Sequence, residues 1–370
     1  MHQDAAAAPL NTSLQCSNCG ATLHFAPGTN HLQCTYCGTQ NEIVPVSDGR
    51  ILSFNYQTFI THKSAIDTPE SRVVSCKNCG AATTLPPEVN SEHCTFCTSP
   101  LVLSESTGQK ILRPHYVLPF VIPQQKALES FRSWMKGLWF APSDLSDMVN
   151  TEAKQLKGMY LPHWSYDADT STDYTGKRGD YYYETERYTE TVDGRQVTRT
   201  RQVRHTRWHY TSGNVVCSFN NLLVSASHSL PQDVCNRLEP WHMDALVHYN
   251  EQYVSGFRSE LYQIDAVQGL EEAKAQMEPV IRDEIHSDIG GDEQVIHDMD
   301  TAYHNIALKY LILPVWISAY KYNNKLYHFT VNACTGEVVG ERPYSALKIT
   351  LAVLAGLAVL VLIYFWYQNR

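Results

Sequence analysis

The sequence predicts an α+β protein made of two tandem four-cysteine zinc ribbons, a duplicated strand-helix-meander domain and one C-terminal transmembrane helix. Three observations carry this reading. A cysteine pattern occurs twice in register, a nine-residue segment returns later in the chain, and an uncharged apolar run lies near the C-terminal end.

Composition sets the frame. The chain has 370 residues, 43% hydrophobic and 18% charged, an ordinary globular balance with room for a sizeable core. A net charge of -9 argues against a surface that tracks phosphate backbones throughout, although a local basic patch is compatible with it. Eight of the 11 cysteines sit in the repeated pattern, and Cys217, Cys235 and Cys334 remain scattered and odd in number. Disulfide pairing explains that distribution poorly, whereas thiolates held for a metal imply a reducing compartment. Met1 to Gln15 offers no basic start followed by an apolar run, so a secretory signal is not expected.

Residues 1–13, rich in Ala, read as a disordered tail. Residues 14–46 form the first expected ribbon, with Cys16, Cys19, Cys34 and Cys37 as ligands. Residues 72–103 form the second, with Cys76, Cys79, Cys94 and Cys97. Both copies leave 14 residues between the two Cys-x-x-Cys turns. Zinc prefers four tetrahedral ligands, and two such turns supply four thiolates from a segment too short to own a core, so two structural Zn2+ ions are expected. Gly20, Gly38 and Gly80 follow the second cysteine of their turns, where a left-handed backbone is needed, and Thr98 replaces the fourth glycine. Tyr36 and Phe96 occupy the same place in the two copies and are expected to pack on their hairpins. His24, His31 and His93 could serve as ligands, but four thiolates already complete each site. Residues 47–71 read as a linker strand, on the strand-like composition of Ile51–Ile60.

Residues 112–343 read as the duplicated domain. Tyr116–Ile122 predicts a buried strand, and Gln124–Lys136 a helix with Ala127, Leu128, Phe131, Trp134 and Met135 on its core side. A second helix is expected from Pro142, capped by Ser143 or Asp144, to near Gly158. Leu156-Lys-Gly-Met-Tyr-Leu-Pro-His-Trp164 then matches Leu308-Lys-Tyr-Leu-Ile-Leu-Pro-Val-Trp316 at five of nine positions. A strand over Leu261–Val267 and a helix over Gly269–Ile289, kinked at Pro279, would precede the second copy. Pro162 and Pro314 suit an edge or a strand start. Asp193-Gly194 predicts a two-residue turn joining Tyr181–Val192 to Arg195–Tyr210, which places Glu186 opposite Arg201, Glu184 opposite Val203, and Glu190 near Arg199. Arg187, Arg195, Arg199, Arg201, Arg204 and Arg207 invite a phosphate-binding reading, but this register sets acids among them and favours a solvated hairpin. Turns at Asn323-Asn324 and Thr335-Gly336 complete the domain.

Residues 349–367 carry no charge and end in Tyr364-Phe-Trp-Tyr367, an aromatic cluster suited to a membrane interface. A single-pass helix in the inner (cytoplasmic) membrane, with the body in the cytosol, follows from this run and from the thiolates.

Motifs of enzymatic chemistry are sparse. No Gly-Lys-Ser or Gly-Lys-Thr phosphate loop, Gly-x-Ser-x-Gly elbow or His-Glu-x-x-His pair occurs. The enzyme candidate is the run Asp283, His286, Asp288 and Asp292 with His297, Asp298, Asp300 and His304 downstream. Gly290-Gly291 beside it reads as a helix terminator, so the acids are expected to cap or to face solvent, and no catalytic residue is assigned. Cys217, Cys235 and Cys334 read as small buried hydrophobes.

The segments Trp139-Phe-Ala-Pro-Ser-Asp144, Gly158-Met-Tyr-Leu-Pro-His-Trp164, Asp288-Ile-Gly-Gly-Asp-Glu-Gln294, Thr335-Gly-Glu-Val338 and Gly340-Glu-Arg-Pro-Tyr344 bear a resemblance. Together with the cysteine turns, the chain resembles bacterial membrane-anchored zinc-ribbon proteins, often labelled primosomal protein N-prime or replication-restart helicase-like, or TFIIB-type zinc-ribbon proteins. Members of that family are similar to membrane partners of flotillin-like and phage-shock-type envelope proteins. The resemblance implies an adaptor that binds a protein partner at the membrane. Nucleic acid, bound through the ribbons and the Arg195–Arg207 strand, is the alternative.

Overall fold

The computed structural model describes residues 14–43, 50–62, 70–84, 92–97, 99–101, 107–110, 112–142, 156–192, 195–323 and 325–368. The expected tail, the Asp193-Gly194 turn and residues 143–155 of the second expected helix lie outside these. Lys157 and Gly158, at that helix's expected end, belong instead to a strand.

Both cysteine modules are short antiparallel ribbons. In the first, β1 (Leu23–Phe25), β2 (His31–Cys34) and β3 (Gln40–Glu42) pair in chain order. The linker strand shrinks to β4 (Phe54–Asn55), and α1 (Tyr56–His62) follows it. Asn55 explains the switch, since its side-chain carbonyl accepts from the Thr58 N–H and opens the helix. Tyr56, Phe59 and Ile60 lie at helical spacing, and Phe59 packs on Trp164. The second ribbon comprises β5 (Glu70–Ser75), β6 (Ala82–Thr84), β7 (Glu92–His93), β8 (Pro100–Leu101) and β9 (Thr107–Lys110).

The body is organised on two long strands. The chain passes through β10 (Tyr116–Val117) and α2 (Gln124–Lys136), then β11 (Lys157–Val192) and β12 (Arg195–Ser225). Helices α3 (Gln232–Arg237) and α4 (Glu251–Val254) flank β13 (Val247–His248). After them come β14 (Arg258–Ser259), α5 (Ala266–Ile289), β15 (Glu293–Tyr322), β16 (Lys325–Asn332), β17 (Val338–Gly340) and α6 (Ala346–Gln368). Antiparallel β11 and β15 form the sheet's spine. On its outer side β11 takes β14 and then β12, and β15 takes β4, β10 and then β16.

Several expectations change here. Tyr116–Ile122 is a strand for two residues only, because Pro119 lacks the N–H a ladder needs. Leu261–Val267 is not a strand. Asp265 caps α5 instead, accepting from Val267 and Gln268 N–H groups while the Gln268 side chain accepts from Asp265 N–H. Helix α5 runs through Pro279. Pro162 and Pro314 lie inside the spine rather than at an edge. Their carbonyls accept from Ala226 and Ala333, on the side where β12 and β16 end, so no strand there awaits the missing N–H.

The two repeated segments pair with each other around Leu161 opposite Leu313. Each then makes the same contacts. Met159 and Tyr160 take the parallel strand Arg258–Ser259, as Leu311 and Ile312 take Tyr116–Val117. The Trp164 indole donates to the Ile264 carbonyl at 2.8 Å, and the Trp316 indole to the Ile122 carbonyl at 2.8 Å. The hairpins that leave the two segments differ greatly in length. One turns at Tyr322, whereas the other runs on to Val192.

Alternation along the spine makes two faces. Tyr160, Trp164, Ile312 and Trp316 point toward α2, α5 and the first ribbon. Met159, Leu161, Leu313 and Val315 point toward the second ribbon and the segment Leu230–Leu246. The ribbons are therefore seated on opposite faces of the spine.

Candidate metal centres

Each cysteine turn folds on local hydrogen bonds. The N–H groups of Cys16, Cys34, Cys76 and Cys94 donate to the carbonyls of Ala21, Thr39, Ala81 and Ser99. The N–H groups of Gly20, Gly38 and Gly80 donate back to the carbonyls of Cys16, Cys34 and Cys76. These glycines have φ of 73°, 74° and 77°, the left-handed region that the turn requires.

Folding in this way gathers all eight predicted ligands into two quartets. Cys16, Cys19, Cys34 and Cys37 form one, and Cys76, Cys79, Cys94 and Cys97 the other, with sulfurs within 4.8 Å of one another. The Cys16–Cys37, Cys19–Cys34, Cys76–Cys97 and Cys79–Cys94 sulfur pairs are each 3.5 Å apart. A tetrahedral ion with metal–sulfur bonds near 2.3 Å needs edges of about 3.8 Å, so both quartets are close to a metal-binding geometry. The thiols are also prepared to ionise unequally. The Thr39 hydroxyl and backbone N–H hold Cys37 down to about 6. Burial raises Cys97, but the side chains of Ser99 and Asn78 outweigh it and bring the thiol to about 6.

The seats of the two ribbons differ. In the first, Leu23, Phe25 and Leu32 pack with Phe120 and Phe257, and the Ser255 hydroxyl donates to the Leu23 carbonyl at 2.6 Å. Tyr36 is 85% exposed and does not pack on its hairpin. In the second, Phe96 is 4% exposed and joins Cys76, Ala81 and Cys94 in the body core. There Leu261 N–H donates to the Ala82 carbonyl, and Glu260 bridges Thr83. Burial pushes the Glu260 carboxyl up to about 7, against hydrogen bonds from Ser229 and Ser227.

Of the residues around Asp292, Asp288 and Asp292 itself have structural partners. Asp288 accepts from the Tyr174 hydroxyl at 2.6 Å, and Asp292 from the Tyr181 N–H at 2.7 Å. They fasten the end of α5 to β11. Among the described residues, the groups of three or more His, Cys, Asp or Glu ligand atoms close enough to share an ion are the two cysteine quartets. Cys235 and Cys334 are buried as expected, while Cys217 is half-buried.

Sequence reading missed an ion pair between a buried lysine and a half-buried carboxylate. Lys309, 4% exposed, donates to Asp167 and to the Ser53 hydroxyl, each at 2.9 Å. An ammonium donating to both has no lone pair to take the Ser53 proton, so the trio acts as a latch that fixes β4 to the spine. Its signal was the Leu-Lys pair shared by both repeats.

The predicted hairpin register holds. Glu186 faces Arg201 and Glu184 faces Val203. Arg201 pairs with Glu186 at 3.0 Å and Arg199 with Glu190 at 3.3 Å, while Arg204 and Arg207 lie over the Tyr181 and Tyr182 rings. Strand β15 leaves at Glu293 opposite Gly179, so residues beyond Gly179 form a two-stranded arm.

Helix α6 is 23 residues long with a mean hydropathy of 2.6 over its most apolar window, and no residue of that window is buried. By length and composition it can cross a membrane.

No family model matches the chain, and no solved structure matches it. It is similar to the Bacillus subtilis (strain 168) protein named "Uncharacterized protein YdjG", at 27% identity over 262 residues, which cover 67% of this chain and 68% of that one.

Proposed function

We propose that this chain is a tail-anchored membrane adaptor whose cysteine quartets hold structural zinc and whose long arm docks a protein partner. The observation that carries this reading is the pairing of an uncovered apolar helix with an arm that outgrows its counterpart in the same sheet. Zinc fits four thiolates with no open position, the arrangement of structural rather than catalytic sites. The equivalent tryptophan hydrogen bonds and parallel strand pairs support an ancestral duplication of one strand, helix and meander unit over residues 112–343.

The arm supplies the recognition surface. Among the described residues β12 ends the sheet's strand order, and beyond Tyr181 the outer edge of β11 has no strand beside it either. Unpaired edge amides and carbonyls take up an extended segment of a partner by strand addition. Arg199 and Arg201 are spent on carboxylates, which favours a protein over nucleic acid. The resemblance to zinc-ribbon proteins points to a flotillin-like or phage-shock-type partner at the inner membrane, with the body in the cytosol.

The test is purification of the full-length protein from native membranes in mild detergent, with co-purifying protein and nuclease-sensitive nucleic acid measured in one sample. A stoichiometric membrane-associated protein that disappears when residues 183–204 are excised supports the reading. Nucleic acid retained at moderate salt without a protein partner, and lost when Arg199, Arg201 and Arg204 are neutralised together, would replace it.

A further inference from the structure

The loop that follows α2 lies against the first turns of α6. Ser345 N–H donates to the Phe140 carbonyl at 2.8 Å, and the Lys348 ammonium donates to the Ala141 carbonyl at 2.7 Å. Loop and helix together enclose a crevice of about 600 Å³ lined by Lys136, Leu138, Trp139, Lys348, Leu351 and Ala352. Two ammonium groups and no carboxylate belong to that lining. Trp139 is 80% exposed, an unusual state for the largest apolar side chain, and it stands beside Leu351 and Ala352.

Those two residues belong to the uncharged run that begins at Ile349. At a rise of about 1.5 Å per residue, they lie roughly 3–5 Å inside it. A tryptophan at that depth is at the level where indoles gather at membrane interfaces, with the ring among upper acyl carbons and its N–H toward water. The cations match the phosphate layer just outside, where an anionic leaflet attracts basic side chains.

We propose that residues 136–141 are a second membrane contact, with Trp139 inserted at the headgroup boundary and a phospholipid seated in the crevice between Lys136 and Lys348. The lipid phosphate accepts from the two ammonium groups, and its glycerol and upper chain lie on Leu138, Trp139, Leu351 and Ala352. Lys348 keeps two N–H groups for this after its bond to Ala141. The contact rests on α6 being a membrane span, and its effect is to hold the body against the leaflet.

The experiment uses full-length protein reconstituted into phosphatidylcholine–phosphatidylglycerol vesicles in which some lipids carry bromine near the glycerol end of one chain. Tryptophan emission is compared among the wild type, Trp139→Phe and Trp366→Phe, with flotation of each sample. Trp139 and Trp366 are expected to supply roughly equal shares of the quenchable emission, so each variant loses about half of it. Replacing phosphatidylglycerol with phosphatidylcholine should weaken the Trp139 share and spare that of Trp366. Unchanged quenching in Trp139→Phe, with the share of Trp366 intact, would overturn the proposal and leave Trp139 facing protein. Failure of the wild type to float would remove the span itself, and the proposal with it.

Discussion

Phe96→Ala and Tyr36→Ala remove rings from the same place in the two cysteine repeats, yet the fold assigns them unequal costs. Phe96 is 4% exposed among Leu161, Leu313 and other residues of the body core, whereas Tyr36 is 85% exposed. Deleting a core phenylalanine costs about 3–5 kcal/mol, because the cavity relaxes only partly, and an exposed ring costs within about 0.5 kcal/mol. At about 2–4 °C per kcal/mol, Phe96→Ala should lower the midpoint of thermal unfolding by roughly 6–20 °C and Tyr36→Ala by less than about 2 °C. Circular dichroism of the full-length protein in mild detergent reads the shift, and elemental analysis of the same samples reads metal. Both variants keep their eight thiols, so both should retain the wild-type metal content. Equal small shifts would mean that the second ribbon is not seated on the body, and the account of its core would be wrong.

Three further outcomes follow from the same geometry. Replacing Cys76 and Cys79 with Ser should remove one metal ion per chain and also destabilise the body, since Cys76 lies in its core; loss of both ions would show that the quartets are not independent. Glu260, raised to about 7 from an ordinary 4.5, binds more proton when folded than unfolded between those values. Stability should therefore fall as pH rises through that window and level off above about 7, by on the order of 3 kcal/mol at most. Glu260→Gln should flatten the profile measured from pH 6 upward, and an unchanged slope would exonerate the carboxyl. Trp164→Phe and Trp316→Phe each strip the donor from a buried carbonyl, at about 1–3 kcal/mol plus the lost ring volume. Midpoint shifts differing more than twofold would tell against equivalent environments.

What could be read in the sequence was local in origin. The quartets follow from spacing within a turn, α2 from its 3.6-residue period, and the arm's register from one two-residue turn. Each depends on neighbours a few positions away. The misreadings had a different cause. Tyr56, Phe59 and Ile60 have strand-like side chains but serve as the buried stripe of a helix, because Asn55 caps it and Trp164 covers it. Pro162 and Pro314 sit within paired strands because β12 and β16 end beside them, which no local pattern reveals. Cys-Thr-Tyr-Cys and Cys-Thr-Phe-Cys read alike, and only the docking of the second ribbon sends Phe96 inward while Tyr36 stays out.

The two hairpins leaving the paired Leu-Pro segments separate what the fold requires from what it adds. The short one closes at Tyr322–Lys325 and still completes the core through Phe329 and Val331. Its counterpart continues to Val192, although beyond Tyr181 its described side chains contribute to no buried cluster. A ribbon without a core is held by cross-strand pairs of about 0.2–1 kcal/mol each and is marginal by itself. The ion pairs at Glu186 and Glu190 and the arginines over Tyr181 and Tyr182 meet that need along its length. Packing therefore explains how the arm persists but not why it is long. Position suggests the reason. The first residue of β11 pairs with Ile317, near the short hairpin, and the groove beside that hairpin is lined by Lys325, Tyr327, Arg342 and Tyr344 at the foot of α6. Val192, paired with Arg195, ends β11 at a contour of roughly 115 Å from Lys157 at about 3.3 Å per residue. If α6 spans a bilayer, as proposed, the sheet carries its free edges far from the α6 end, which is the geometry the proposed adaptor needs to engage a partner standing off the membrane.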